Sequence, residues 1–462
     1  MKIRLFAALL LALLAAHLCH RDVLWTEEGL PMAAARQMAL GKTLYRDAWF
    51  DKPPLVPAVY LLWCARDGVP LRVAGALYDL LACGFAFLAA RKLFGEDAGL
   101  WAAGLLGFFL IFDTASAVLP LAADLLMLVP HLAAIWLAAC RRPFLSGLLA
   151  GVAFLFNVKG LFVAASCAVF LWPLLPALLA GFAVPCAIAA GVLLATGAWP
   201  FYVDQVWVWS SRYAASSHVS NPVGNGVVRT LNWLGFHSAL LLGAGLDWCR
   251  TRRIEWKMAA WAMLSLAGVV MGWRFFPRYY FQLLPVLVIA ASAGLARARR
   301  PAVAAALVLL LVPAIRFGPR YYLLAAGRSE NWADTAMDRE SRSAAALALR
   351  DRQPGDTLFV WGFRPDLFVH TGLPAGTRFL DCQALTGVPA DRHLTQSTPV
   401  MTASTLDARR ELARSRPTVV IDGLGQYNPA LAMERYPELR EWLQHYREVG
   451  RSGNEVVYRL RR

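Results

Sequence analysis

Two neighbouring carboxylates, Glu27 and Glu28, stand just upstream of the segment "LYRDAWFDKPPL", in which Lys52 is followed directly by Pro53 and Pro54. A carboxylate can act as a general base toward a hydroxyl. A lysine is a point-charge partner for phosphate. Two successive prolines forbid a helix and fix the local direction of the chain. A linker between hydrophobic helices needs none of these features. Each residue also has a plainer reading: the glutamates can favour the positive end of a helix dipole, worth under about 1 kcal/mol, and Lys52 can snorkel toward headgroups. Tyr45 and Arg46 either contact phosphate or sit at an interface.

Further polar groups recur at the ends of apolar runs. Asp124 begins one such run, and an acid there is a functional-site hypothesis or a helix-start carboxylate. Lys159 interrupts "FLFNVKGLFVA", and Arg278 sits in "FFPRYYFQLLP". Arg212 and His218 lie in an aromatic-rich loop, 199–225, whose Trp and Tyr residues suit either an interfacial belt or stacking on sugar or lipid.

The elements that must position these groups follow from composition. The chain has 462 residues, 58% hydrophobic and 17% charged, with a mean hydropathy of +0.47. Soluble domains are nearer one half apolar and one quarter charged, so the expectation is a polytopic α-helical membrane protein. The net charge of +15 sits in short clusters between apolar runs, as in cytoplasmic loops, which argues against nucleic acid. The 8 cysteines form no CxxC pair, so neither a zinc site nor a disulfide framework is indicated.

The N-terminal stretch reads as a retained first span, 5–19, starting in the cytoplasm, with a cleaved signal peptide as the alternative. A first outer loop, 20–70, holds the opening motif. Basic turns at Arg91-Lys92, Arg141-Arg142, Arg250 to Lys257 and Arg297 to Arg300 mark the inner side, and about eleven spans result. Residues 1–317 form the membrane domain. Residues 318–462 form a small α/β domain on the outer, periplasmic face, with a helix in 340–356 and strands at "TLFVWG", "PTVVID" and "EVVYRL". Within the outer loop, Pro31 near a start and Gly41 at an end frame a helix. Its apolar stripe Leu30, Ala34, Met38 predicts that it lies flat on the membrane.

Taken together these motifs resemble the GT-C superfamily of bacterial glycosyltransferases, which includes protein O-mannosyltransferases and the lipid A aminoarabinose transferase. The resemblance rests on Glu27-Glu28 after the first span, "GKTLYRDAWFDKPPL", Asp124, Lys159 in "FLFNVKG" and "RYYFQLLP". It spans about 5–295, and the tail resembles the outer domain that many members carry. One departure matters: the acidic pair usually begins with Asp where Glu27 stands, which leaves open which glutamate is the base. The resemblance implies a GT-C fold in the bacterial inner membrane and a sugar donor on polyprenyl phosphate. It implies inverting transfer to a hydroxyl of a lipid, glycan or protein acceptor at the periplasmic side. Glu27 or Glu28 would take the acceptor proton, with Asp124 orienting Lys52 or the acceptor. Lys52, with Arg278 and Arg212 and assisted by Tyr45 and Arg46, would bind the donor phosphate. No cofactor and no divalent metal are expected. Removal of the tail is expected to leave some donor binding. The alternatives are a flippase or transporter of lipid-linked sugars, whose charges would line a path through several helices, and a membrane-anchored binding protein working through its tail.

Overall fold

The computed structural model describes residues 2–215, 221–251, 255–328, 332–396 and 398–461. His218, Arg252 and Arg253 lie outside the described residues. The chain is mostly helical. Helix α1 (Lys2–Leu18) leads into a segment made of α2 (Thr26–Ala39) and α3 (Leu55–Tyr60), which is followed by α4 (Val69–Phe94) and α5 (Glu96–Ile111). Leu9, Leu13, Ala16 and His17 form the buried face of α1. His17 Nε2 lies 3.0 Å from Asp79 Oδ2 of α4, both buried. Pairing the two polar groups avoids leaving either one unsatisfied in an apolar bundle.

Three helical runs are long and apolar enough to cross a membrane: Val69–Phe94, Gly160–Ala195 and Arg300–Ala325. Ala123–Ala139, Pro143–Phe156, Trp256–Val270 and Leu284–Ala296 are apolar but shorter. Against an expectation of about eleven spans, three therefore meet both criteria among the described residues. Prolines, glycines and polar residues cut the apolar sequence into pieces, and a 13-residue helix rises only about 20 Å. The run Arg300–Ala325 also continues past residue 318. Helices Pro143–Phe156 and Leu175–Ala195 meet backbone to backbone, because a Cβ at Gly147 would strike the Leu178 carbonyl and one at Gly181 the Phe144 carbonyl. Small residues at such crossings are how helices associate without a hydrophobic driving force.

The two ends of the bundle differ in charge. Arg72, in the first turns of α4, pairs with Glu28, whereas Arg91 and Lys92 occupy its last turn. Nineteen residues at 1.5 Å each separate Arg72 from Arg91, about 28 Å along the axis. Lys2 lies at the Arg91 end, 2.9 Å from Glu96 Oε1.

The tail builds a four-stranded sheet in the order β1-β2-β4-β3, from β1 (Leu358–Trp361), β2 (Val419–Asp422), β3 (Tyr446–Ser452) and β4 (Glu455–Leu460). β1 and β2 are parallel, with Phe359 opposite Val420, and β4 runs antiparallel to both β2 and β3. "LFVW" and "VVID" are buried along their whole length, as a sheet covered on both faces requires. Helix Ala333–Leu349 buries Ala344, Ala345 and Ala348 against it.

The segment 19–68 is held between bundle and sheet domain. The Trp49 amide donates to the Arg378 carbonyl at 2.7 Å, the Ala375 amide to Gln37 Oε1 at 2.8 Å, and the Leu24 amide to Asp338 Oδ1 at 3.1 Å. Helix α2 is consequently buried from Glu28 to Ala35 and again at Gln37, not laid flat with one face toward lipid. Its stripe of apolar residues marks burial, and the covering layer comes from helix Asp366–Thr371, whose Asp366 amide lies 3.1 Å from where a Cβ on Gly29 would stand. Pro31 falls inside this helix instead of at its start.

Candidate active site

The site is assembled at the N-terminus of α2. Glu27 and Glu28 both occupy its first turn, but the helix turns them in different directions. Glu28 is fully buried and Arg72 is 1% exposed; Arg72 Nη2 donates to Glu28 Oε2 at 2.6 Å and Nη1 to Oε1 at 3.1 Å. The Leu121 amide donates to Oε1 at 3.1 Å, and the Trp25 amide to Oε2 at 3.4 Å. Both carboxylate oxygens of Glu28 are thus occupied, and it ties α2 to α4 and to the 119–121 turn.

Glu27 instead faces a cavity of about 240 Å³. Its Oε1 accepts from Arg278 Nη1 at 2.8 Å, and its side chain is 26% exposed. Arg278 lies in a 3-10 turn, Pro277–Gln282, and reaches between two acids: its Nε lies 3.6 Å from Asp124 Oδ2. Burial works against its charge, but Glu27 and Asp124 overcome this and hold its pKa above the ordinary arginine value. Asp124, in the first turn of Ala123–Leu126, also accepts from Asn157 Nδ2 at 3.0 Å and lies 3.7 Å from Lys159 Nζ. Lys159 rests over the Tyr279 ring, 3.2 Å from its centroid.

Lys52 enters the same cavity from the opposite strip of chain, with a side chain 49% exposed and its ammonium 2.6 Å from Asp51 Oδ2. Behind it, Tyr45 is fully buried, and its hydroxyl donates to the Lys52 carbonyl at 2.8 Å. Tyr45 adopts φ 68°, a left-handed conformation that is uncommon for such a residue and held only where surroundings fix it. Gln205 secures it by donating to the Tyr45 carbonyl at 2.8 Å and accepting from the Phe50 amide at 2.9 Å.

Of the residues singled out in the sequence, the fold therefore brings Glu27, Lys52, Asp124 and Arg278 to one cavity. Glu28 is turned away into the pair with Arg72. Tyr45 stands behind Lys52, its hydroxyl consumed by the backbone. Arg46 is exposed and directed to Asp47, Thr43 and the Thr196 carbonyl. Arg212 lines an adjacent cleft, not this cavity. Phe363, Gln383, Ala390 and Asp391 of the sheet domain complete the lining. The expectation that some donor binding survives removal of the tail is therefore one about a cavity whose lining comes partly from the tail. No sequence signal pointed to these four, because their role depends on how the domain docks. Asp51 and Tyr213 were likewise missed, although Asp51 adjoins Lys52. Below Gln383, burial pushes the Asp381 carboxyl up to about 7, against hydrogen bonds from the Gln383 amide and side chain that pull it down. Among the described residues no group of three His, Cys, Asp or Glu side chains is arranged to hold a metal ion.

An acid, an exposed ammonium and a guanidinium shared between carboxylates around one cavity can hold a phosphate and accept a proton beside it. No family model matches the sequence, and no curated protein matches it. Solved structures do. ArnT from Cupriavidus metallidurans bound to undecaprenyl phosphate is 18% identical, with a TM-score of 0.61 over 99% of this chain and 97% of that one. The oligosaccharyltransferase of Archaeoglobus fulgidus tethered to an acceptor peptide is 11% identical, with a TM-score of 0.52 over 96% of this chain and 72% of that one. AglB from the same organism, with an inhibitory peptide and a dolichol-phosphate, gives 12% and 0.51 over the same shares. At these identities the likeness is one of fold: the chain shares the fold of ArnT and of the archaeal oligosaccharyltransferase.

Proposed function

We propose that this chain is an integral membrane glycosyltransferase that moves a sugar from a polyprenyl-phosphate donor to an acceptor hydroxyl by a single inverting displacement. The observation that carries the reading is the convergence of Glu27, Lys52, Asp124 and Arg278 on one cavity. The fold shared with ArnT and AglB, whose structures hold undecaprenyl phosphate and a dolichol-phosphate, supports the donor class.

In this reading the donor phosphate approaches Lys52 and draws Arg278 away from Glu27. The exchange does two things. It places two cations on the leaving oxygen, and it frees Glu27 Oε1 to receive the hydroxyl hydrogen of the acceptor. Glu27 takes the acceptor O–H proton as that oxygen bonds to the anomeric carbon. The bond from carbon to phosphate oxygen breaks, and polyprenyl phosphate leaves with its charge met by Lys52 and Arg278. General-base help contributes about 10²–10⁴-fold, and each well-placed charge stabiliser about 10²–10³-fold. Asp124 keeps Arg278 in reach throughout, since it holds the guanidinium from the other side.

The placement of the site at the outer leaflet rests on charge. The basic turn Arg91-Lys92 lies about 28 Å from the site end of α4, close to the thickness of a hydrocarbon core, and basic residues favour the cytoplasmic side. Purified protein incubated with a panel of undecaprenyl-phosphate sugars and analysed by mass spectrometry should release undecaprenyl phosphate and transfer or hydrolyse one sugar. Movement of intact lipid-linked sugar across vesicles without cleavage would favour a flippase instead.

A further inference from the structure

A second cleft adjoins the catalytic cavity and has a different chemistry. It is lined by Trp49, Trp209 and Tyr213, by the guanidinium groups of Arg212, Arg378 and Arg392, and by the hydroxyls of Thr402, Ser404 and Thr405. Among the described residues Asp204 is its only acidic lining residue. The two spaces are separated by a single layer of chain. Trp49 lines the cleft while Phe50 lines the cavity; the same alternation holds for Ala384 and Gln383, for Pro389 and Ala390, and for Arg392 and Asp391. Tyr213 lines both. It is pinned by Arg274, whose guanidinium stacks 3.4 Å from its ring centroid and donates to its carbonyl at 3.0 Å. Arg274 in turn forms an ion pair with Asp391. Tyr213 is therefore the side chain that the cleft shares with the cavity Glu27 lines, which sets the two spaces side by side.

The lining also says what would lie there. Trp49 and Trp209 meet edge to face, 5.7 Å between centroids, and aromatic side chains of this kind offer apolar faces with polar edges. Arg378 is braced by Glu411 at 2.8 Å and stacks 4.6 Å from the Phe379 ring. Arg212 Nη1 donates to Ser404 Oγ at 3.2 Å. Guanidinium forks match phosphate and carboxylate geometry, while the hydroxyls match those of a sugar.

We infer that this cleft is the acceptor subsite and that it takes an acidic sugar residue, carrying a phosphate or a carboxylate. The inference rests on the transferase reading for the word acceptor, but not for the binding itself. The test is ligand-observed NMR on the full-length protein in nanodiscs, with glucose, glucose 6-phosphate, glucuronate and inorganic phosphate as probes. Glucose 6-phosphate or glucuronate should bind about tenfold more tightly than glucose; which of the two binds better identifies the acidic group. The double substitution R212Q/R378Q should lose that preference. S404E, an exposed change that sets a carboxylate beside Arg212, should lose it too and guards against misfolding of the double variant. K52A should keep acidic-sugar binding while binding undecaprenyl phosphate about tenfold or more weakly. Equal binding of glucose and its acidic forms would overturn the inference. So would inorganic phosphate binding as tightly as the phosphorylated sugar, a phosphoserine peptide binding where the sugars do not, or loss of sugar binding in K52A. Absence of sugar transfer with acidic-sugar binding intact would instead sink the transferase reading alone.

Discussion

Glu27 and Glu28 are neighbours of like chemistry, and replacing each with glutamine separates folding from catalysis. In Glu28→Gln, Arg72 keeps its burial but loses an ion pair with contacts of 2.6 and 3.1 Å. Removing one partner of a buried pair costs about 3–5 kcal/mol, a large share of the roughly 5–15 kcal/mol that holds a domain folded. Glu27 is 26% exposed, and Arg278 retains Asp124 when it is lost. Its replacement should therefore cost under about 1 kcal/mol, but should reduce transfer by about 10²–10⁴-fold. The assay pairs thermal unfolding of each detergent-purified variant with transfer from an undecaprenyl-phosphate sugar. Glu28→Gln should unfold at markedly lower temperature, and Glu27→Gln should unfold like the native chain while being nearly inactive. A Glu28→Gln protein as stable as the native one but inactive, beside an active Glu27→Gln, would refute the assignment of roles.

Three more perturbations probe the supporting structure. Lys52→Ala should raise the dissociation constant for undecaprenyl phosphate by about tenfold or more, the value of one charge-assisted contact; unchanged binding by titration calorimetry would make Lys52 a mere anchor. Phe363→Ala should lower transfer without unfolding the bundle, because this side chain of the sheet domain lines the cavity; full activity would mean that the domain does not shape the site. Asp381 titrates near 7 in the folded chain and near 3.8 ordinarily, so its proton is bound more tightly in the native state. Its stabilising contribution is complete below about pH 4 and is lost as pH rises through about 7. Asp381→Asn should flatten the fall in thermal stability over that window, whereas an unchanged slope would assign the loss to other groups.

The sequence was most informative where burial and periodicity coincide. Apolar runs marked the helical bundle, and "LFVW", "VVID" and "EVVYRL" marked three strands because their side chains are largely buried. β3 carried no such signal: in "YREVGRS" only Tyr446 is buried while Arg447, Glu448 and Arg451 are charged and exposed, and it becomes a strand by pairing with β4. Helix α2 was legible as a helix but not in its surroundings, since an apolar stripe does not distinguish lipid from a docked domain. The same limit applied at the site. Glu27, Lys52, Asp124 and Arg278 stood out as polar residues at the ends of apolar runs, and the fold brings them together. The difference between Glu27 and Glu28 was hidden, because it depends on Arg72, distant in sequence and buried against only one of them. Gln383 and Asp391 were hidden for a similar reason, as ordinary polar residues of a soluble-looking tail.

The central claim is geometric, and a structure determined with undecaprenyl phosphate bound tests it most directly. The phosphate should lie in the cavity between Lys52 and Arg278, with oxygens about 2.7–3.1 Å from their nitrogens, and with Arg278 released from Glu27. A phosphate bound elsewhere, with Lys52 still on Asp51 and Arg278 still on Glu27, would contradict the account.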